Sequence, residues 1–295
     1  MTTGLKIKLP VAFTDTSLPI LYDDALMSAG TLMLADPMHS AAPWAAGVPA
    51  ANAPLPNIAW SAAAALIGSG DQTSLGPIFL LDNVASNEAK LERSSKGGLH
   101  VIWTQANASS KRAALFLPNP IQNYLINNPR HKYYFSLWQR VTRAPKNILE
   151  VPEVAILSGS PALSNYLVYY SQRGALPNSS NPVFLGGRDN LGGYGVGNKI
   201  VTIGANGFTG AAPTATSQTN NYELCCWGYG DAAYSPTSAP NSRSSIFYRV
   251  FLEDLTVSGR GYADVDAIDY GLWQAAFAPG GRYYNDTFTD PATFA

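Results

Sequence analysis

Charge is what this sequence has least of: Asp, Glu, Lys and Arg make up 13% of its 295 residues, about half the usual share for a soluble domain. So thin a charge suits a subunit that covers much of itself with neighbours better than a freely diffusing enzyme. The formal net charge is −1 and no lysine/arginine run or basic stripe occurs, which leaves no electrostatic case for a nucleic-acid partner. No apolar run reaches the roughly 18 residues of a transmembrane helix, so no membrane insertion is expected. Met1 to Lys8 lacks the apolar core and cleavage site of a secretory signal. The two cysteines, Cys225 and Cys226, are adjacent. Neighbours on a strand point to opposite faces, so they read as buried thiols from a reducing cytoplasm rather than as a disulfide. The three histidines, His39, His100 and His131, stand far apart, and no HExxH, CxxC or EF-hand spacing accompanies them. No metal and no cofactor are expected.

What the chain does contain points to β-structure. Apolar residues are 46% of it, which excludes general disorder, and 26 glycines with 21 prolines supply turns rather than a helical bundle. Residues 1–56 read as an extended N-terminal arm with short strands. Leu5 to Phe13 alternates, Thr31 to Leu34 is a short apolar run, and prolines at 10, 19, 37, 43, 49, 54 and 56 interrupt any ladder. Such an arm either reaches a neighbouring subunit or wraps its own core.

Residues 57–295 read as one β-sandwich domain. Asn57 to Gly68 predicts a helix capped by Asn57 and stopped by Gly68. Strands are predicted over Ile78–Leu81, Leu99–Trp103, Ala113–Leu117, Tyr133–Val141, Tyr166–Tyr170, Lys199–Ile203 and Tyr222–Trp227. The longest strand pattern is Ile246 to Val257. Ile246, Tyr248, Val250 and Leu252 take one face, and Phe247, Arg249, Phe251, Glu253, Leu255 and Val257 the other. Ser258 to Gly261 break it. Val265, Ile268, Leu272 and Ala275 or Ala276 then recur at helical spacing until Pro279-Gly280-Gly281. Asp264, Asp266 and Asp269 place negative charge early in that amphipathic C-terminal helix, as its dipole favours. With no repeat of 20–50 residues, the pattern predicts a two-sheet sandwich closed by the strand and helix of residues 244–278.

No catalytic constellation emerges. The cluster GGRDNLGGYGVG, residues 186–197, lacks the Lys-Ser/Thr ending of a phosphate loop and reads as a flexible loop, as does 204–221. Ser158-Gly159-Ser160 lacks a nucleophile elbow. Glu150 with Glu153, and Glu253 with Asp254, lack the spacing of a sandwich glycosidase pair. Aromatic residues in a large sandwich mainly fill its interior. Tyr194 and Tyr229, in glycine-rich surroundings, are the candidate glycan-facing platforms.

The stretch YRVFLEDLTVSGRGYADVDAIDYGLWQAAFAPGGRYYNDTFTDP, within Ser244 to Ala295, resembles the end of tail-associated virion proteins of tailed bacteriophages. Leu5-Lys6-Ile7-Lys8-Leu9, with Thr14 to Leu18, looks like their start. The resemblance implies a concanavalin A-like (laminin G-like) jelly roll, a place in the tail or baseplate, and no catalytic residues. The expected partners are other virion proteins and copies of the chain itself, made in the host cytoplasm and carried in the virion. A lectin-like module that recognises a host surface glycan is the alternative, and a polysaccharide depolymerase a third.

Overall fold

The computed structural model describes residues 23–82, 84–105, 112–146, 152–158, 166–171, 174–175, 184–189, 195–207, 222–227 and 243–294. Among them the strands are β1 (Thr31–Ala35), β2 (Ala53–Pro54), β3 (Ile78–Asp82), β4 (Ala89–Arg93), β5 (Leu99–Trp103), β6 (Arg112–Phe116) and β7 (Tyr133–Arg143). They continue as β8 (Pro152–Ser158), β9 (Tyr166–Ser171), β10 (Gly174–Ala175), β11 (Phe184–Asp189), β12 (Gly197–Ala205), β13 (Tyr222–Trp227) and β14 (Ser244–Asp254). The helices are α1 (Trp60–Ile67), α2 (Asn119–Asn127), α3 (Leu255–Ser258) and α4 (Tyr262–Phe277).

The protein is mainly β, with two seven-stranded antiparallel sheets. The first runs β11-β12-β7-β14-β5-β4, with β1 also on β14; the second runs β10-β9-β8-β13-β6-β3-β2. One cluster of buried apolar side chains joins them, with Phe135, Leu137, Val201, Phe247 and Leu252 from the first sheet and Phe79, Leu115, Val154, Val168 and Leu224 from the second. Each such side chain contributes about 1.5–3 kcal/mol by leaving water.

β14 is the axis of the first sheet. β7 runs along one edge, while β5 and β1 share the other: β5 beside Ser245–Phe247, β1 beside Val250–Glu253. All of its residues are buried. Its alternation is not the simple one expected. Phe247 pairs with Gln139 and Arg249 with Trp138, so Tyr248 is an extra residue in a β-bulge. The bulge turns both Tyr248 and Arg249 outward and inverts the phase beyond them. Val250 and Leu252 therefore enter the inter-sheet core, and Phe251 faces the opposite side. The strand also ends earlier than expected. Asp254 accepts the amides of Thr256 and Val257 at 2.9 and 3.1 Å, and the chain turns into α3 instead of continuing to Val257.

On the outer face of the first sheet, α4 and the tail after it form a third layer. Val265 packs with Tyr134 and Phe251, and Ala276 with Trp138, Ile200 and Tyr248. The buried stripe of α4 is Val265, Asp266, Asp269 and Ala276, and Ile268 is exposed. The expected stripe was rotated because two aspartates belong to the contact face. Asp269 accepts from the Tyr134 hydroxyl and the Trp138 indole, both at 3.0 Å. Asp266 accepts from Thr202 at 2.8 Å and pairs with Arg188 at 2.7 Å. Only Asp264 serves the helix start, accepting the Gly261 amide at 3.2 Å.

Other expectations moved for similar reasons. Asn57 does not cap α1, which starts at Trp60; its buried amide instead accepts from Leu34 and Ala59 and donates to Leu32 and Leu75 at 2.9–3.0 Å. Gly68 ends α1 with φ +88°, as expected. The first part of the glycine cluster is strand β11. A Cβ on Gly186 or Gly204 would lie 2.9 or 2.5 Å from the Tyr262 ring, so these glycines make room for that ring to lie on the sheet. Residues 23–56 pack on the chain's own core: β1 joins β14, β2 joins β3, and Trp44 and Leu55 enter the main cluster. The predicted Leu5–Phe13 strand and most of the second glycine-rich stretch (208–221) lie outside the described residues.

Candidate functional site

Each of the three histidines lies against a carboxylate, although in each pair the partners come from different elements or loops. A histidine oriented by a carboxylate is the core of many proton-transfer sites. What decides is whether the second ring nitrogen is free and whether a substrate has room.

His100 on β5 sits between Glu92 on β4, 2.9 Å from Nδ1, and Thr142 on β7, 2.9 Å from Nε2. The line Glu–His–Thr has the order of a nucleophilic triad, but it is sealed. His100 is fully buried, the Phe288 ring meets it edge-on at 5.1 Å, and Thr289 donates to Glu92 from both its amide (2.8 Å) and its hydroxyl (2.6 Å). Arg143 clamps the same tail by donating to the carbonyls of Pro291 and Phe294, each at 2.8 Å. This cluster therefore docks the C-terminal tail.

Its electrostatics make that docking pH-dependent. Burial alone would raise Glu92, but the bonds from Thr289 and His100 outweigh it and hold the carboxyl at about 2. Burial lowers His100 from 6.5, against the raising effect of Glu92. Both folded values lie below the unfolded ones. The His100 contribution is therefore present above 6.5 and lost as pH falls, and the Glu92 contribution is lost from 4.5 towards about 2. The urea midpoint is expected to fall on acidification across both windows. Glu92→Gln should flatten the lower part of the fall, and an unchanged slope in that variant would contradict the assignment.

His39 lines a cleft of about 350 Å³ with Asp24, Trp138, Arg249, Leu272 and Arg282. Its Nε2 is 3.3 Å from Asp24, and its Nδ1 accepts the Ala41 amide at 3.2 Å, so both ring nitrogens are engaged. The cleft floor is an ion network. Arg249, 2% exposed, pairs with Asp24 at 2.7 Å, lies 4.0 Å from Asp36 and sits 4.8 Å over the Trp138 ring. Arg282 reaches Asp36 at 2.5 Å, and Tyr283 donates to it at 2.9 Å. Burial raises Asp24, but its hydrogen bond to His39 and the charge of Arg249 bring it far below the ordinary carboxylate value. Asp269, fully buried nearby, is pushed up by burial despite the opposing charge of Arg249.

His131 is the one whose second nitrogen has no partner among the described residues. Nδ1 lies 2.6 Å from Asp254, which is fully buried, while the His131 side chain is 29% exposed. Asp254 also accepts the Tyr124 hydroxyl at 2.8 Å and caps α3. Tyr124, with Asn123, Asn127 and Asn128, lines a neighbouring groove of about 630 Å³ between α1 and α2. This Asp254–His131 pair has the orientation of a general base, but no hydroxyl or thiol nucleophile stands at its Nε2 among the described residues.

The expected glycan platforms Tyr194 and Tyr229 lie outside the described residues. Trp103, Trp138, Trp227, Tyr134, Tyr169 and Tyr170 are buried, and among the described residues the exposed aromatics are Trp60 and Tyr284. Glu153 is buried against Arg243, and Glu253 against Arg260. Both cysteines are buried and neither is in a disulfide, and burial pushes the Cys225 thiol far up. Among the described residues no group of three His, Cys, Asp or Glu could hold a metal ion. No helix there is long and apolar enough to cross a membrane. Comparison with protein-family models and with curated proteins gave no match.

Proposed function

We propose that this chain is a structural component of a tailed-bacteriophage virion, in the tail or baseplate, acting through assembly with other virion proteins and with copies of itself. The observation that carries the reading is the use made of its charged groups. Contacts between residues more than 200 positions apart tie residues 23–36 to β14 and the tail: Ser28 to Glu253, Arg260 to the Leu26 carbonyl, and Tyr283 to Asp36. The segment that resembles phage virion proteins, from Ser244 on, supplies one partner in each of these contacts. A body with its described beginning and its end locked onto one central strand suits a rigid building block.

The same reading makes the sandwich a concanavalin A-like jelly roll. It is supported by the way the chain shuttles between sheets, with β5, β7, β12 and β14 in one and β6, β8, β9 and β13 in the other. Mass spectrometry of purified particles of the phage that encodes the chain should find it among the virion proteins. Its absence from mature particles would end this reading.

A second reading, a glycan-recognition module carried on that scaffold, is favoured by the polar and aromatic cleft beside the C-terminal tail, lined by Arg140, Asn198, Tyr284 and Asn285. A depolymerase is the third; release of reducing ends from host polysaccharide tests it, and no release would remove it.

A further inference from the structure

We propose that the cleft between the C-terminal tail and strands β7 and β12 binds a saccharide that carries a carboxylate. The proposal rests on the glycan-recognition reading and gives it a site and a ligand class. The cleft has a volume of about 600 Å³ and is lined by Arg140, Asn198, Phe277, Tyr284, Asn285 and Thr287, among others. That size falls within the roughly 300–1,000 Å³ of small-ligand sites.

The side chains fit a sugar acid group by group. Arg140 brings a cation with unused donors. Its guanidinium lies 4.9 Å over the Phe288 ring and makes one hydrogen bond, from Nη1 to the Asp286 carbonyl at 3.3 Å. Among the described residues its buried Nε has no acceptor and no carboxylate is within ion-pair distance of it. Arginine presents a planar fork matched to a carboxylate, and an unpaired fork in a half-buried cleft calls for such a partner. Among the described residues the one carboxylate in the cleft wall, Asp286, is already engaged. It accepts from Tyr248 at 2.7 Å, Ser95 at 3.0 Å and the Lys96 amide at 2.8 Å.

Tyr284 offers the platform. It is 39% exposed, next to Asn285, whose φ of +55° sets the turn. Its amide is fixed to the Gly281 carbonyl at 3.1 Å. A sugar ring presents apolar C–H faces to an aromatic ring and hydroxyls to planar amides. Asn198 and Asn285 supply those amides, and Asn198 Oδ1 has no donor. The walls are held before any ligand arrives: Tyr283 is buried against Tyr248 at 4.3 Å, and Asp286 is held by three donors. Such pre-organisation lowers the cost of binding.

The test is a titration of the full chain with oligogalacturonate and, separately, with its neutral methyl ester, followed by saturation-transfer NMR, together with a glycan array. The expected result is binding of the acid form, about tenfold weaker for the ester and for Arg140→Gln, as loss of a charge-assisted bond predicts. Tyr284→Ala, an exposed position that leaves the fold intact, should weaken it severalfold. Binding of the acid form that is indifferent to both variants would place the sugar elsewhere and overturn the inference while leaving glycan recognition standing. Equal binding of acid and ester would overturn the ligand class. Silence on the array and in both titrations would overturn the glycan reading and the inference together.

Discussion

Replacing Arg249 by methionine is expected to lower the unfolding free energy by about 3–5 kcal/mol, the usual consequence of removing one partner from a buried ion network. The guanidinium is 2% exposed and is the cation that faces Asp24 at 2.7 Å. Methionine would fill much of the space over Trp138 but would leave that carboxylate in a poorly hydrated cleft. For a chain of this size the loss corresponds to a melting temperature lower by roughly 5–8 °C. The pH profile separates this from a simple packing defect. In the native protein Asp24 is held far below its ordinary 3.8, so its contribution is fully present above that value and is lost as pH falls from there towards the lower folded value. Without Arg249 the Asp24 carboxyl should titrate higher, and acid should unfold the variant at a higher pH than the parent. A variant with unchanged urea midpoint would mean that water, rather than Arg249, satisfies Asp24. The double variant Asp24→Asn with Arg249→Met should recover part of the loss, because the buried charge is then gone from both sides.

How much of this was legible in the sequence differs by element. Strands such as Leu99–Trp103 and Tyr133–Arg143 were legible because both faces of each are covered: Leu99–Trp103 is buried throughout and reads as a bounded apolar run, and Tyr133, Phe135 and Leu137 of the second alternate into the inter-sheet core. The bulge at Tyr248 was not, because it is defined by pairing with Gln139 and Trp138, more than a hundred residues earlier. Its effect is large: the bulge is what sends Arg249 outward beside Tyr248, to the network under α4. α2 is hard to see in the sequence for a different reason. Its sequence NPIQNYLIN is largely polar, and only Pro120 near its start and the buried Ile121 and Leu125 mark it. The rotated stripe of α4 has a related cause, since Asp266 and Asp269 are buried as hydrogen-bond acceptors and a hydrophobic pattern cannot register them. The histidine–carboxylate pairs and the tail cleft were out of reach of any local motif. Glu92 and Thr289, or Arg140 and Tyr284, meet only after the tail folds back over the sheet.

Asp254→Ala should be nearly as costly as loss of Arg249, at about 3 kcal/mol, and it tests what the Asp254–His131 pair is for. One carboxylate serves four donors: the Thr256 and Val257 amides at 2.9 and 3.1 Å, the Tyr124 hydroxyl at 2.8 Å and His131 at 2.6 Å. Loss of an N-cap typically costs about 1 kcal/mol. A buried hydroxyl left without its acceptor adds about 1–3 kcal/mol. His131, 29% exposed, can turn to water when its acceptor goes and adds little. If the carboxylate works as a strut joining α2, the loop before β7 and α3, His131→Ala should cost only about 1 kcal/mol. Tyr124→Phe and Asp254→Ala should then be strongly non-additive, because they share one bond. Urea midpoints of the three single variants and the Tyr124→Phe/Asp254→Ala double variant, at unchanged denaturant slope, give the answer. If Asp254→Ala instead matched the parent in stability, the carboxylate would be free of any structural duty. The open nitrogen of His131 beside the α1–α2 groove would then become the first place to look for chemistry, so the strut reading makes a prediction that its rival does not share.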